Sequence, residues 1–309
     1  MYHHESRTSV FIDKFSVTFS VPNEERSWQN AAEALSHLCQ QGFLLEPARG
    51  GRVYEHYHAA WHAVIPVPNG PSARCLIQVF PKSSGKGFLR LEWNPARLQR
   101  AQFRQIIEVL AACIPDIETW WRTAKVTRAD VTFDLPQLKI ERLLTFSSSA
   151  ATIGIKRKEN GGSLNAFVLG SETSIKRLTI YDKAFERAIR HSRDARRTRR
   201  VFRTCTRVEF RIRKLGTMQE IEFIKNPLSS FSIVSVADAY AQFSEESWIR
   251  FIRRCESVGA QTALSVLADR KRRQRYRDVL EKRCTPRWYN KEILWAEAKI
   301  KIAELLFLQ

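Results

Sequence analysis

Four segments of this sequence hold polar groups in spacings that could do chemistry. In residues 125–135 (KVTRADVTFDL), a period of two puts Arg128, Asp130 and Asp134 on one face and Val131 and Phe133 on the other. In 203–213 (RTCTRVEFRIR), Arg207, Glu209 and Arg211 oppose Val208, Phe210 and Ile212. In 88–94, Arg90, Glu92 and Asn94 oppose Leu89, Leu91 and Trp93. Gathered in one sheet, three such strands would collect carboxylates and arginines. The plainer alternative is a solvated sheet face carrying cross-strand charge pairs. The fourth segment, 169–187 (LGSETSIKRLTIYDKAFER), places Tyr181, Lys183 and Glu186 where a strand becomes a helix. A phenol, with a pKa near ~10, is a poor nucleophile at neutral pH unless a cation or base stands beside it. Lys183 shares the face of Tyr181 if the strand continues that far. The alternative for Tyr181 is an aromatic ring that ends a strand by packing on the core.

These segments need a frame. Residues 8–21 alternate as a strand, and 27–41 read as a helix between Ser27 and Gly42. Three β-like runs follow between 52 and 93, separated by PNGPS and PKSSGKG, and a helix runs from Pro95 to about Cys113. A second passage has the same grammar: strand 125–135, a short helix after Pro136, strands 164–169 and 176–182, basic helix 183–199 and strand 203–213. The remainder reads as helices at 236–243, at 246–273 with a break near Gly259, and at 289–307. The expected fold class is α+β, antiparallel sheets with helices on one face. The expected division is a domain over 1–235, in two halves of about 1–115 and 120–215, followed by a helical region over 236–309.

Composition sets the partner. The chain has 309 residues, and 51 Lys+Arg against 32 Asp+Glu leave a net charge of +19. That excess repels itself unless a polyanion is near, and nucleic acid leads the candidates. A membrane surface is weaker, because the basic runs lack the large apolar residues of an inserting helix. Residues 187–203 hold eight arginines, among them Arg196, Arg197, Arg199 and Arg200, and 269–283 (DRKRRQRYRDVLEKR) is a second basic run. No apolar run reaches the roughly 18 residues of a membrane span. MYHHESRTSV lacks the order of a signal peptide, so a cytoplasmic location is expected. The six cysteines are scattered, without a CxxC pair, and read as reduced core residues.

Taken in order, RADVTFD, LGSxxSxxxLxIYDKxxE and RVEFRIR resemble the rolling-circle replication initiators of plasmids and filamentous phages, particularly the Rep_trans-like class. The match spans roughly 125–213, and FLRLEWNPARL also resembles a segment of such proteins. The resemblance implies a relaxase-like (ferredoxin-like) nickase core and a metal-dependent enzyme that cuts one DNA strand at an origin, single-stranded or hairpin-forming. It implies Tyr181 as the nucleophile that forms a 5′-phosphotyrosine, and Lys183 as the cation that stabilises the phenolate or transition state. A magnesium or manganese ion, which prefers oxygen ligands, would be held by Asp130 and Glu209 first and Glu92 third, with Asp134 a ligand or an orienter. Each carboxylate has an alternative role as an ion-pair partner of Arg128, Arg207 or Arg90. Arg177 and Arg207 would grip phosphate oxygens in a fork, alongside Arg128 and the arginines of 187–203. Implied partners are a host helicase and polymerase, and a second copy in a homodimer.

One departure concerns histidines. Many members of the wider superfamily hold the metal with a His-hydrophobic-His strand, whereas this chain has His56-Tyr57-His58 with His62 nearby, about 70 residues before the matching block. A surface or packing role is favoured for all three. Two other functions stay open: a non-catalytic DNA-binding protein (repressor or packaging factor), and a tyrosine recombinase. The second lacks its His-x-x-Arg pair, since Asp194 follows His191.

Overall fold

The computed structural model describes residues 9–19, 25–42, 44–67, 70–83, 87–114, 117, 121, 123–148, 153–157, 164–191 and 204–306. In chain order the first elements are β1 (Phe11–Phe19), α1 (Glu25–Gln40), β2 (Leu45–Pro47), β3 (Tyr57–Val67), β4 (Gly70–Pro81), β5 (Leu89–Trp93) and α2 (Arg100–Cys113). Then come β6 (Lys125–Pro136), β7 (Leu143–Ser147), β8 (Ile153–Arg157), β9 (Leu164–Leu169), β10 (Lys176–Asp182), α3 (Lys183–His191), β11 (Cys205–Gly216) and α4 (Met218–Phe223). The chain closes with β12 (Phe231–Ser235), α5 (Val236–Ala241), α6 (Glu246–Val258), α7 (Ala260–Ser265), α8 (Arg270–Arg283) and α9 (Lys291–Leu306). The result is a mixed fold of antiparallel sheet and helices. Among the described residues, no helix is long and apolar enough to cross a membrane.

The chain forms two compact units. The first is built mainly from Thr132–Arg211 and Asn226–Ala296, the second from Phe11–Val131 and Ile212–Lys225 with the segment from Glu297. In the second unit the strand order is β2-β3-β4-β5-β1-β6. Antiparallel register aligns Phe15, Trp93 and Cys75 in one row, Val17, Leu91 and Ile77 in the next, and Phe19, Leu89 and Val79 in a third. All nine are buried, so one sheet face is apolar throughout. Helix α2 covers it through Phe103, whose ring stacks on Trp93 at 4.3 Å. The period of two then forces the neighbouring residues to the other face. There Ser16, Glu92 and Leu76 form one row, and Thr18, Arg90 and Gln78 the next.

In the first unit the order is β6-β11-β10-β9-β8. Leu178, Leu169 and Ile153 align on one face, as do Ile180, Phe167 and Ile155. On the opposite face the rows are Tyr181, Ala166 and Lys156, and Thr179, Val168 and Gly154. A second, two-stranded sheet pairs β7 with β12. Leu144, Phe146 and Val234 of that sheet share a core with Trp248, Phe251 and Ile252 of α6, Leu264 of α7, and Tyr276 and Leu280 of α8. Gly259 separates α6 from α7 at φ +88°, and a Cβ there would meet Ile155 Cδ1 at 2.8 Å, so only glycine fits this junction. Helix α8 starts at Asp269, whose carboxylate accepts from the amides of Lys271 and Arg272, and its first turn contains no acidic residue.

Trp248 is fully buried and donates Nε1–H to the Ala239 carbonyl at 2.7 Å. Removing its ring leaves a cavity where α6, α8 and the small sheet meet. Trp248→Ala is expected to cost roughly 3–5 kcal/mol of stability, read from urea unfolding midpoints.

Candidate active site

In the first unit, β10 exposes one face and buries the other. Leu178 and Ile180 are buried, while Arg177, Thr179 and Tyr181 are only partly covered. The strand ends because Asp182 turns the chain into α3, its Oδ1 accepting from the Phe185 amide at 3.0 Å. Lys183 therefore reaches Tyr181 from the first turn of the helix rather than along the strand. Its side chain is nearly buried, and Nζ lies 2.7 Å from Glu186 Oε2 and 5.7 Å from the centre of the Tyr181 ring. The second distance is within the ~6 Å reach of a cation–π contact. Tyrosine, lysine and glutamate at i, i+2 and i+5 thus form one cluster.

Arg207 of β11 is buried and donates from Nε and Nη2 to the two oxygens of Asp134 on β6, at 2.6 and 2.8 Å. Arg211 Nη2 and Glu209 Oε1 stand 3.9 Å apart. Cys205 opens β11. Burial, then the charge of Asp134, pushes its thiol up against the pull of Arg187, Arg207 and Lys183. A raised thiol pKa keeps Cys205 in its neutral, less reactive form. Arg196, Arg197, Arg199 and Arg200 lie outside the described residues.

In the second unit, the polar face carries a chain of bonds. Gln78, itself buried, donates to the Val53 carbonyl at 2.5 Å and accepts from Arg90. Arg90 pairs with Glu92, whose other oxygen lies 2.6 Å from Lys14 Nζ. Arg128 forks onto Asp130, with Nε 2.8 Å from Oδ1 and Nη2 on Oδ2. Lys14 and Gln78 were not singled out by sequence. The available signal was Gln78 itself, a lone amide in the otherwise apolar run CLIQVF. The histidines stay apart in role: His56 precedes β3 beside Glu55, His58 packs edge-on to Phe80, and His62 faces Arg74 and Glu46.

Among the described residues, no group of three or more His, Cys, Asp or Glu side chains is arranged to hold a metal ion. Asp130, Glu92 and Glu209 have the right oxygen chemistry, but each faces an arginine of its own strand. Glu92 and Asp130 belong to the second unit and Glu209 to the first. Each of the three thus faces a guanidinium with which a metal ion would compete.

Burial works against ionisation of Glu92, yet Arg90, Lys14 and Arg128 hold its carboxyl below the usual glutamate value. A lowered folded pKa contributes stability that is complete above the unfolded value, about 4.3, and is lost as pH falls through the folded one. Glu92→Gln should therefore destabilise the protein at neutral pH and flatten the acid limb of its stability below pH ~4, read as urea midpoints against pH.

No protein-family model matches this chain, and no curated protein matches it. Among solved structures it is similar to a rolling circle replication initiator protein from Geobacillus stearothermophilus. The identity is 13% over 82% of this chain and 98% of that one, with a TM-score of 0.39. It also aligns with the di-domain ARO/CYC BexL of the BE-7585A biosynthetic pathway, at 9% identity over 89% and 99% of the two chains and a TM-score of 0.18.

Proposed function

We propose that this protein nicks and rejoins one DNA strand at a replication origin, as an initiator of rolling-circle replication, with Tyr181 as nucleophile. The observation that carries the reading is the Tyr181–Lys183–Glu186 cluster. Tyr181, partly covered on β10, has the centre of its ring 5.7 Å from an ammonium that lies 2.7 Å from Glu186 Oε2. The phenol oxygen attacks the scissile phosphorus and loses its proton. A Tyr–O–P bond forms, the bond from phosphorus to the 3′ oxygen breaks, and that oxygen takes up a proton as a free 3′-hydroxyl. Lys183 lowers the energy of the phenolate and of the charge that builds on the phosphoryl oxygens. Glu186 keeps the ammonium oriented. Reversal of the same step transfers the strand. Arg128, Arg177 and Arg207 are the proposed phosphate contacts, and the +19 charge supplies the long-range attraction.

A magnesium or manganese requirement rests on the sequence resemblance alone. So do ligation by Asp130, Glu209 and Glu92, and the helicase, polymerase and second copy as partners. The second reading, a DNA-binding protein without catalysis, is favoured by one observation: these carboxylates face arginines and form no metal-holding group among the described residues.

The test is incubation with supercoiled origin DNA and Mn²⁺, with and without EDTA, followed by a denaturing gel. A protein-linked strand is expected with the wild type. It should disappear with Tyr181→Phe and fall at least 100-fold in rate with Lys183→Gln, as loss of a transition-state cation does. Footprinting without a nick would leave the binding protein as the reading.

A further inference from the structure

The turn that joins β9 to β10 is rich in hydroxyls. Ser171 Oγ lies 2.9 Å from Ser174 Oγ and 3.1 Å from Thr173 Oγ1, and the Ser171 amide donates to Ser174 Oγ at 2.9 Å. Gly170 makes this possible at φ +94°. A Cβ there would lie 2.8 Å from the Lys176 carbonyl oxygen, 3.4 Å from Arg177 Cα and 3.5 Å from Ser174 Cβ. The turn is thus folded tightly against the start of β10, with Ser174 and Arg177 both beside the same bare glycine.

Arg177 differs from Arg207 on the adjoining strand β11, which forks onto Asp134. The Arg177 side chain is 14% exposed, and its Nε is buried with no hydrogen-bond partner. The carboxylate facing it, Glu172, is solvent-exposed and 3.9 Å from Nη1. A largely buried guanidinium with an orphaned donor is costly until an anion meets it, and its planar donors match phosphate oxygens. Along β10, Arg177, Thr179 and Tyr181 share one face, so residues 177 and 181 lie four positions apart, about 13 Å of strand. The same face carries Val168 and Gly154 beside Thr179, and Ala166 and Lys156 in the row of Tyr181.

We infer that Arg177 and the hydroxyl turn form a phosphate subsite for single-stranded DNA. It holds the backbone about 13 Å from Tyr181 along β10 and so fixes the direction in which the strand crosses the site. This deepens, and rests on, the assignment of Tyr181 as nucleophile. Glu172 competes with the incoming phosphate for the guanidinium.

The experiment measures anisotropy of fluorescein-labelled dT12, alone and paired with dA12, against the full-length protein over a range of KCl. Arg177→Gln should weaken dT12 binding about tenfold and reduce the salt slope by about 0.7, the value for one single-strand phosphate. Arg177→Lys, which keeps the charge without the fork, should fall between. Glu172→Gln, at an exposed position that folding tolerates, should tighten binding severalfold. An unchanged slope in Arg177→Gln, no effect of Glu172→Gln, or an equal loss on the duplex would overturn the subsite. Covalent adduct formation is scored separately on the denaturing gel. Wild-type protein that shows these salt dependences yet never forms an adduct retains the subsite and loses the nickase.

Discussion

A lysine ammonium taken almost out of water needs a counter-charge within reach, and at the end of β10 that need organises everything nearby. Asp182 ends the strand by capping α3, which swings Lys183 back over the Tyr181 ring, and Glu186, one helical turn on, completes the pair. Breaking a buried pair leaves an uncompensated charge, so the three side chains act as one unit. The Tyr181 ring lies on the sheet face opposite the buried Leu178 and Ile180, in the row of Ala166 and Lys156. The position of the Tyr181 ring and the charges beside it thus follow from one strand-to-helix transition.

The same constraint recurs in both units as guanidinium–carboxylate pairs. Arg90 with Glu92, Arg128 with Asp130 and Arg211 with Glu209 are spaced two residues apart, so each pair lies on one face of one strand. Arg207 with Asp134 joins two strands. Such pairs let a sheet carry a dense polar face without repelling itself. They also mean that an anion arriving at these arginines, or a cation arriving at these carboxylates, meets a group whose charge is already partly balanced.

Much of the frame could be read from residue patterns. Strands 164–169 and 176–182 are found with those bounds, because alternation on one side and the GSETS turn on the other define them. Gly259 does break the helical stretch, which is interrupted again between Ser265 and Arg270; β6 stands at its expected position, and α2 ends at Cys113 as expected but starts at Arg100 rather than Pro95. Strands β7 and β12 were not anticipated. LLTFS and FSIVS are buried on nearly every residue, so they show no alternation, and the small sheet that they form exists only through their mutual pairing. The helix expected after Pro136 is a single 3₁₀ turn at Ile140–Arg142. In the site, parity correctly put arginines and carboxylates on common faces. It did not distinguish pairing within a strand, which Glu92, Asp130 and Glu209 adopt, from the reach across strands by which Asp134 meets Arg207.

Helix α8 opens with Arg270, Lys271, Arg272 and Arg273, stacked where the backbone amides already present positive charge, with Asp269 alone to offset them. Dissolved salt relaxes this internal repulsion while it also weakens any grip on a polyanion. The two responses run in opposite directions. Screening therefore steadies the first turn of α8, and the Asp269 cap carries a larger share of that stability in dilute buffer than at high ionic strength.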